Sequence, residues 1–488
     1  MDLKHASARG VAWNLVQNLA SRLLGLVVVG VLGRILPDRS AFGAIALALT
    51  VTAFAELLYS QGYGDFIAQH KDITDDHLDT AFWLNAGLGV MLATIIAVFA
   101  HPIATWLGAS NVAPIVRLLS LSIAIRAFSV VPTGLLVRRL QFRSLSMRSV
   151  VAAVFGGIAG TASALAHLGV YSLVIQVLVA DVAAAVILWH ATEWRPGLKL
   201  SRASLRDLSA FGWPIFGATM LNFVSRRMDN VIVVGALGIE ALASYAMAQR
   251  IFQIANQVLN KSSDSVAFTA LARLADAADR RREAFYKLLE LTSVLCFPIY
   301  ALLAIVADPV VVTIFGPRWL DSGPTLAMFA LAGIPITLSY INVAAIKSTA
   351  QTRLYLVIHI ILVAVYLPVL LLVVHRGTAA AAGAYLIGCM VIIPVEVFFM
   401  RASLGVRVPE YLTWLVGPSV ATAVMGAATY GVSLVCVPLP ALLQLVIEGL
   451  VAALVYVGAL RLFGPKTFKR CVDLLRSTLL KRAPAATS

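Results

Sequence analysis

Runs of about twenty apolar residues, separated by short clusters of charge, proline and turn residues, recur along the whole chain. At 1.5 Å per residue, roughly 20 apolar residues span the hydrocarbon core of a bilayer as a helix. Dividing the chain at its polar clusters gives spans near 11–34, 41–61, 79–100, 113–136, 147–168, 170–191 and 210–236. The remainder lie near 239–262, 284–306, 322–346, 353–374, 378–400, 411–433 and 441–463. The pattern predicts an all-α integral membrane protein of about 14 transmembrane helices, the seventh being the least apolar.

Composition agrees: 60% of the residues are hydrophobic, 13% are charged and the mean hydropathy is +0.89. That charge cannot cover the surface of a soluble chain of 488 residues. The first apolar run continues past Lys4 and Arg9 to about Leu36 without a small-residue cleavage site, so an uncleaved first span is expected. Cys296, Cys389, Cys436 and Cys471 have the spacing of neither a metal site nor a disulfide framework.

The net charge of +14 raises the question of nucleic acid, and its distribution answers it. With both termini in the cytoplasm, 28 of the 38 Lys and Arg residues fall in cytoplasmic segments and six within spans. Four (Arg34, Arg39, Arg318 and Arg376) fall outside, the bias that cytoplasmic loops carry. The basic excess therefore reads as a collar facing anionic lipid at an inner membrane, not as a nucleic-acid surface. One cytoplasmic loop departs from this, with Asp65, Asp72, Asp75, Asp76 and Asp79 set against Lys71 alone.

An internal repeat divides the chain. Segment 14–29 aligns with 218–233 without a gap, placing Asn18, Ser21 and Arg22 on Asn222, Ser225 and Arg226. Further on, AHPIATWLG at 100–108 is similar to ADPVVVTIFG at 307–316. Six spans lie within one offset, and an even number restores direction, so the halves form a parallel repeat. The expected organisation is an N-lobe at 1–191, a cytoplasmic linker at 192–209 and a C-lobe at 210–402. Two extra helices at 403–463 and a basic cytoplasmic tail at 464–488 complete it.

Polar residues follow helical spacing in three spans. Asn14, Gln17, Asn18, Ser21, Arg22 and Gly25 share a face of the first, and Thr219, Asn222, Arg226 and Asp229 a face of the seventh. The eighth carries Gln249, Arg250, Gln253, Asn256, Gln257 and Asn260. Lipid cannot satisfy such stripes, so they face a cavity or a partner helix. Arg22, Arg126, Arg226 and Arg250 sit about halfway along their spans, where one Arg facing lipid costs about 2.5–3.5 kcal/mol. Burial against acids is the structural alternative, with Asp229 placed for Arg226 and Glu56 for Arg22. A guanidinium donates parallel hydrogen bonds to two phosphate oxygens, so an arginine-lined, hydrated cavity suits an anionic group crossing the bilayer. Pro132, Pro335 and Pro394 mark expected kinks.

The opening KHASARGVAWNLVQNLASRLLGLVVVGVLGRIL with FGAIALA after it, and DNVIVVGALG followed by LASYAMAQRI, resemble one family. So do AFTALARL, RRREAFYKLLELTSVLCFP and IFGPRWLDSGPTL. The family is the polysaccharide-exporter branch of the multidrug/oligosaccharidyl-lipid/polysaccharide flippase superfamily. The resemblance implies two six-helix lobes, as in multidrug (MATE) exporters, working by alternating access on an undecaprenyl-pyrophosphate-linked oligosaccharide. It places the pyrophosphate near Arg22, Arg226 and Arg250, and makes the extra helix pair a groove for the lipid tail. It implies a transporter and not an enzyme, with no cofactor beyond coupling to Na+ or H+, for which Asp229 and Glu56 are the candidate acids. The expected partners are the polyprenyl-linked glycan, membrane lipid, and a polysaccharide polymerase with other assembly proteins, around a monomeric chain. A drug or peptidoglycan-precursor exporter of the same fold is the alternative, and a membrane glycan polymerase or ligase a more distant one.

Overall fold

A computed structural model describes residues 20–70, 72–274, 278–349 and 352–480, and every regular element among them is helical. The chain is a multi-pass membrane protein: among the described residues, 11 helices are long and apolar enough to cross a membrane. Eleven of the 14 expected spans meet that criterion among the described residues. The three spans missing are the first, which lies partly outside the described residues, and the seventh and eighth. These are the spans that carry polar stripes, and the stripes themselves lower their hydropathy.

By packing, the chain divides into residues 1–247 and 248–488. In the first unit, α1 (20–35) and α2 (Ser40–Ser60) precede the short α3 (Tyr63–Gln69) and the long α4 (Asp75–Val98). A short α5 (Ala100–Trp106) leads to α6 (Ala113–Ala127) and α7 (Val130–Arg138), then α8 (Phe142–Leu165) and α9 (Tyr171–Ala191). Next come α10 (Arg202–Leu237) and the first residues of α11 (Ile239–Asn256). A Cβ on Gly43 would lie 2.0 Å from the Ile239 carbonyl oxygen, so only glycine lets α2 and α11 approach this closely.

The acidic loop gains a physical account here. Asp75 and Asp76 occupy the first turn of α4, where the helix dipole favours negative charge, and Thr74 and His77 close a capping box at the same end. Asp79 accepts a 2.9 Å hydrogen bond from the Gly197 amide, and Asp76 lies 3.5 Å from Lys199. Trp83 donates to the Gly197 carbonyl at 2.7 Å, so α4 fastens the segment leading into α10.

The second unit holds the rest of α11, a π-helical stretch at Gln257–Lys261, and α12 (Ser262–Ala272). Its long helices are α13 (Ala278–Ile305), then, after the short α14 (Ala307–Phe315), α15 (Gly323–Lys347) and α16 (Thr352–Val373). They are followed by α17 (Thr378–Leu404), α18 (Val408–Cys436) and α19 (Ala441–Phe463). The amphipathic α20 (Pro465–Leu480) is held to α13, with Arg470 Nη1 2.6 Å from Glu290 Oε2 and its guanidinium 4.3 Å from the Trp414 ring centre.

The two units repeat one plan. Each has a long helix, a short helix, a glycine with positive φ and a 3₁₀ segment: α4, α5, Gly108 and Ser110–Val112 match α13, α14, Gly316 and Pro317–Ser322. The 100–108 and 307–316 segments are this corner. Pro132 and Pro335 also correspond, yet only the first interrupts its span. Pro132 lacks the N–H that would bond the Phe128 carbonyl, and the helix breaks at Phe128–Ser129 between α6 and α7. Around Pro335 and Pro394, α15 and α17 continue.

Candidate functional site

The break after Arg126 opens onto a cavity of about 580 Å³ inside the first unit. Its wall takes Glu56 and Tyr59 from α2, Asp65 from α3, Arg126 from α6, Arg148 and Ser149 from α8, Asp181 from α9 and Thr219 from α10. Arg126 is held on two sides, with Nε 3.0 Å from Asp181 Oδ1 and Nη1 3.4 Å from Glu56 Oε2. Ser122 donates to the other Asp181 oxygen. The Asp181 side chain is 12% exposed and that of Glu56 48%, so the pair on α9 is the dry one and Glu56 faces the open space.

Arg148 differs. It lines the same cavity, half-buried, and makes no hydrogen bond or ion pair with any described residue. Its five donors are therefore available to a ligand or to water. The wall around it supplies hydroxyls from Ser129, Thr133 and Ser149. The arrangement can hold an anion at Arg148 while the Arg126 charge is already compensated.

The predicted site residues distribute as follows. Glu56 and Arg126 meet in the cavity, so Arg126 takes the carboxylate expected for Arg22. Arg22 and Ser21 are half-buried on α1, outside the cavity wall. Asn14, Gln17 and Asn18 lie outside the described residues, as do the side chains of Asn222 and Arg226 in α10. Asp229 is buried and accepts a 2.9 Å hydrogen bond from the Tyr245 hydroxyl. In the second unit, Arg250 and Gln253 stand on an accessible face of α11, with Gln249 and Gln257 half-buried. Asn256 is buried in a network in which Asn260 donates to Asn256 at 2.8 Å and to Tyr300 at 2.9 Å, and Thr337 donates to Asn260 at 3.0 Å. That part of the stripe joins helices and adds no cavity lining.

Sequence reasoning passed over Asp181 and Arg148. Asp181 is a single acid at the middle of the sixth span, a depth signal of the kind used for the arginines. Arg148 falls at the very edge of the span expected from 147 and so reads with the cytoplasmic collar.

A second cavity, of about 680 Å³, lies within the second unit. Phe297 and Ala301 of α13, Leu331 and Ile334 of α15, and Gly426 and Tyr430 of α18 line it. Small residues on α18 (Ser419, Ala423, Gly426 and Ala427) leave the space open along one helix face.

A family model described as polysaccharide biosynthesis protein matches residues 31–324. The chain is 30% identical over 326 residues to the succinoglycan biosynthesis transport protein ExoT of Rhizobium meliloti (strain 1021), spanning 66% of this chain and 65% of that protein. It is 27% identical over 341 residues to the lipopolysaccharide biosynthesis protein WzxC of Escherichia coli (strain K12), spanning 68% of each. The fold is similar to the lipid II flippase MurJ in an inward closed conformation, with a TM-score of 0.76, 12% identity and coverage of 93% of this chain and 99% of that one. It is also similar to an inward-facing multidrug resistance MATE transporter, with a TM-score of 0.65, 15% identity and coverage of 79% and 94%. The transport protein, the flippase and the multidrug transporter are carriers, not enzymes.

Proposed function

Because this chain belongs to the polysaccharide biosynthesis protein family, we propose that it is a flippase for a lipid-linked oligosaccharide. The cargo is a polyprenyl-pyrophosphate repeat unit for a surface polysaccharide, carried across a bacterial inner membrane by alternating access. The 28-to-4 distribution of Lys and Arg supports cytoplasmic termini. A polymerase and other assembly proteins remain the proposed partners of a monomeric chain.

The observation that carries this reading is Arg148, a guanidinium lining a polar cavity with no hydrogen-bonded or ion-paired partner among the described residues. Such a group is costly to place in a membrane protein unless an anion or water meets it. Charge-assisted bonds to two oxygens of one phosphate fit its geometry. The cavity has room for the pyrophosphate and part of a sugar. Arg22, Arg126, Arg226 and Arg250 remain proposed contacts along the route of the anion. Asn14, Gln17, Asn18, Ser21, Asn222, Gln249, Gln253 and Gln257 would line the sugar's path.

The MATE-like fold raises the multidrug alternative, in which Glu56 and Asp181 would attract an organic cation. Both acids are engaged by Arg126, which opposes that use.

Deleting the gene and weighing lipid-linked saccharides in membrane extracts tests the cargo. The expected result is accumulation of one complete, unpolymerised polyprenyl-pyrophosphate unit together with loss of surface glycan. Unchanged lipid-linked pools and unchanged surface glycan, in a strain whose other flippase genes are also deleted, would contradict it.

A further inference from the structure

We infer that Glu396, with Ser339, Asn342 and Tyr411, forms a proton-binding site in the second unit. Glu396 lies in the third quarter of α17 and is fully buried, at 0% exposure. Ser339 on α15 donates to one of its oxygens, and Asn342 Nδ2 on the same helix lies 2.9 Å from the other. The Tyr411 hydroxyl of α18 meets the Asn342 amide at 3.2 Å and 3.3 Å, so three helices share one hydrogen-bonded cluster.

Among the described residues, Asp181 is ion-paired with Arg126 and Glu290 with Arg470, whereas Glu396 is held by the neutral Ser339 and Asn342. Glu448 is also buried, at 2% exposure, but one of its oxygens has no hydrogen-bond partner, so it lacks the set of donors that surrounds Glu396. Other titratable groups on the helices packed around it include Tyr385, Cys389 and Arg401 on α17, Tyr340 and Lys347 on α15, His359 and Tyr366 on α16, Tyr286 and Glu290 on α13, and Glu410 on α18. Among the described residues none of these makes a hydrogen bond or ion pair with Glu396, whose polar contacts are the two named. The surroundings are apolar, with Ile392, Val397, Met400, Ile341 and Leu415 in the adjoining core.

A carboxylate withdrawn from water without a cation is far less stable than the neutral acid in the same place. A metal ion does not fit the geometry, because both carboxyl oxygens already face donor groups and the described residues hold no group of three or more His, Cys, Asp or Glu side chains able to bind one. A proton needs no space. It converts one carboxyl oxygen into a donor that the Ser339 oxygen can accept. The neutral acid fits the closed packing of α15, α17 and α18, whereas the ionised one favours a conformation that admits water. Proton occupancy thus biases which conformation the unit adopts, the thermodynamic requirement for coupling. Asp229 and Glu56 were the acids expected in that role. The first shares its charge with a tyrosine hydroxyl and a backbone amide, and the second with Arg126.

The coupling half of the inference rests on the transport reading, and the protonation half does not. Infrared difference spectra of the purified full chain in lipid nanodiscs, taken through an alkaline pH jump, test the second without any cargo. The wild type should show a protonated-carboxyl stretching band that disappears on the jump and is absent from Glu396→Gln. The same band in Glu396→Gln would overturn the site. Should that variant fail to fold, Ser339→Ala leaves the carboxyl in place and must shift the band, and an unshifted band would overturn it equally. For coupling, the wild-type flipping rate should vary with pH by up to about tenfold per unit, the limit for one proton. Glu396→Gln should flatten this profile, and a variant profile matching the wild type would overturn the coupling role. A chain that flips no glycan but shows the band would contradict the cargo alone.

Discussion

Replacing Arg148 by alanine is expected to cut glycan export roughly tenfold to a hundredfold, since a hydrogen bond to a charged group contributes about 1.5–3 kcal/mol. The protein itself should insert and accumulate normally. Among the described residues Arg148 makes no hydrogen bond or ion pair whose loss would unsettle the fold, and only the longer-range attraction of Asp181 and Glu56 is lost with it. Arg148→Lys should recover part of the export, because an ammonium keeps the charge and loses the two-pronged geometry. Surface glycan per unit of membrane-inserted protein is the quantity to compare. Full export by the alanine variant would remove Arg148 from the route of the cargo.

Asp181→Ala should act in the opposite sense, on stability first. It strips Arg126 of its 3.0 Å partner and leaves the Ser122 hydroxyl without its acceptor. Removing one member of a buried pair costs about 3–5 kcal/mol, and the lower end applies because Arg126 keeps Glu56 and opens onto the cavity. The thermal midpoint of the purified variant should fall. Adding Arg126→Met should restore much of it, since the double variant leaves no buried charge without its partner, and Glu56, which also loses Arg126, is half-exposed to the cavity. A double variant less stable than Asp181→Ala alone would show that Arg126 contributes through something other than this pair.

These two arginines show where the sequence was and was not informative. Depth along a span was readable for Arg126, and Asp181 could have been found by the same measure. Their pairing could not, because it joins positions 55 residues apart and depends on how α6 meets α9. Arg148 was hidden by a boundary. The polar stretch after Arg143 reads as loop and leaves Arg148 at the edge of its expected span, whereas α8 starts at Phe142 and carries Arg148 almost two turns inside. Apolar runs fixed eleven of the spans by length alone, since little but a helix satisfies a backbone in lipid. The stripes in the seventh and eighth spans were legible as polar faces, but their destination was not. Asn256 and Asn260 turned to Tyr300 and Thr337 through the π-helical stretch, a backbone irregularity with no sequence signal of its own. The repeat was legible between 100–108 and 307–316 because each segment ends on a turn glycine that the fold needs at the same corner.

The central claim, that this chain carries a pyrophosphate-linked glycan past Arg148, is tested most directly with purified protein in liposomes. A fluorescently tagged polyprenyl-pyrophosphate saccharide is loaded into both leaflets, and an impermeant quencher in the medium reports how fast label held in the inner leaflet reaches the outer one. The account predicts that wild-type protein speeds this exchange well above empty liposomes and that Arg148→Ala falls back toward them. Exchange no faster than in empty liposomes, from protein that still moves an organic cation in the same vesicles, would contradict it.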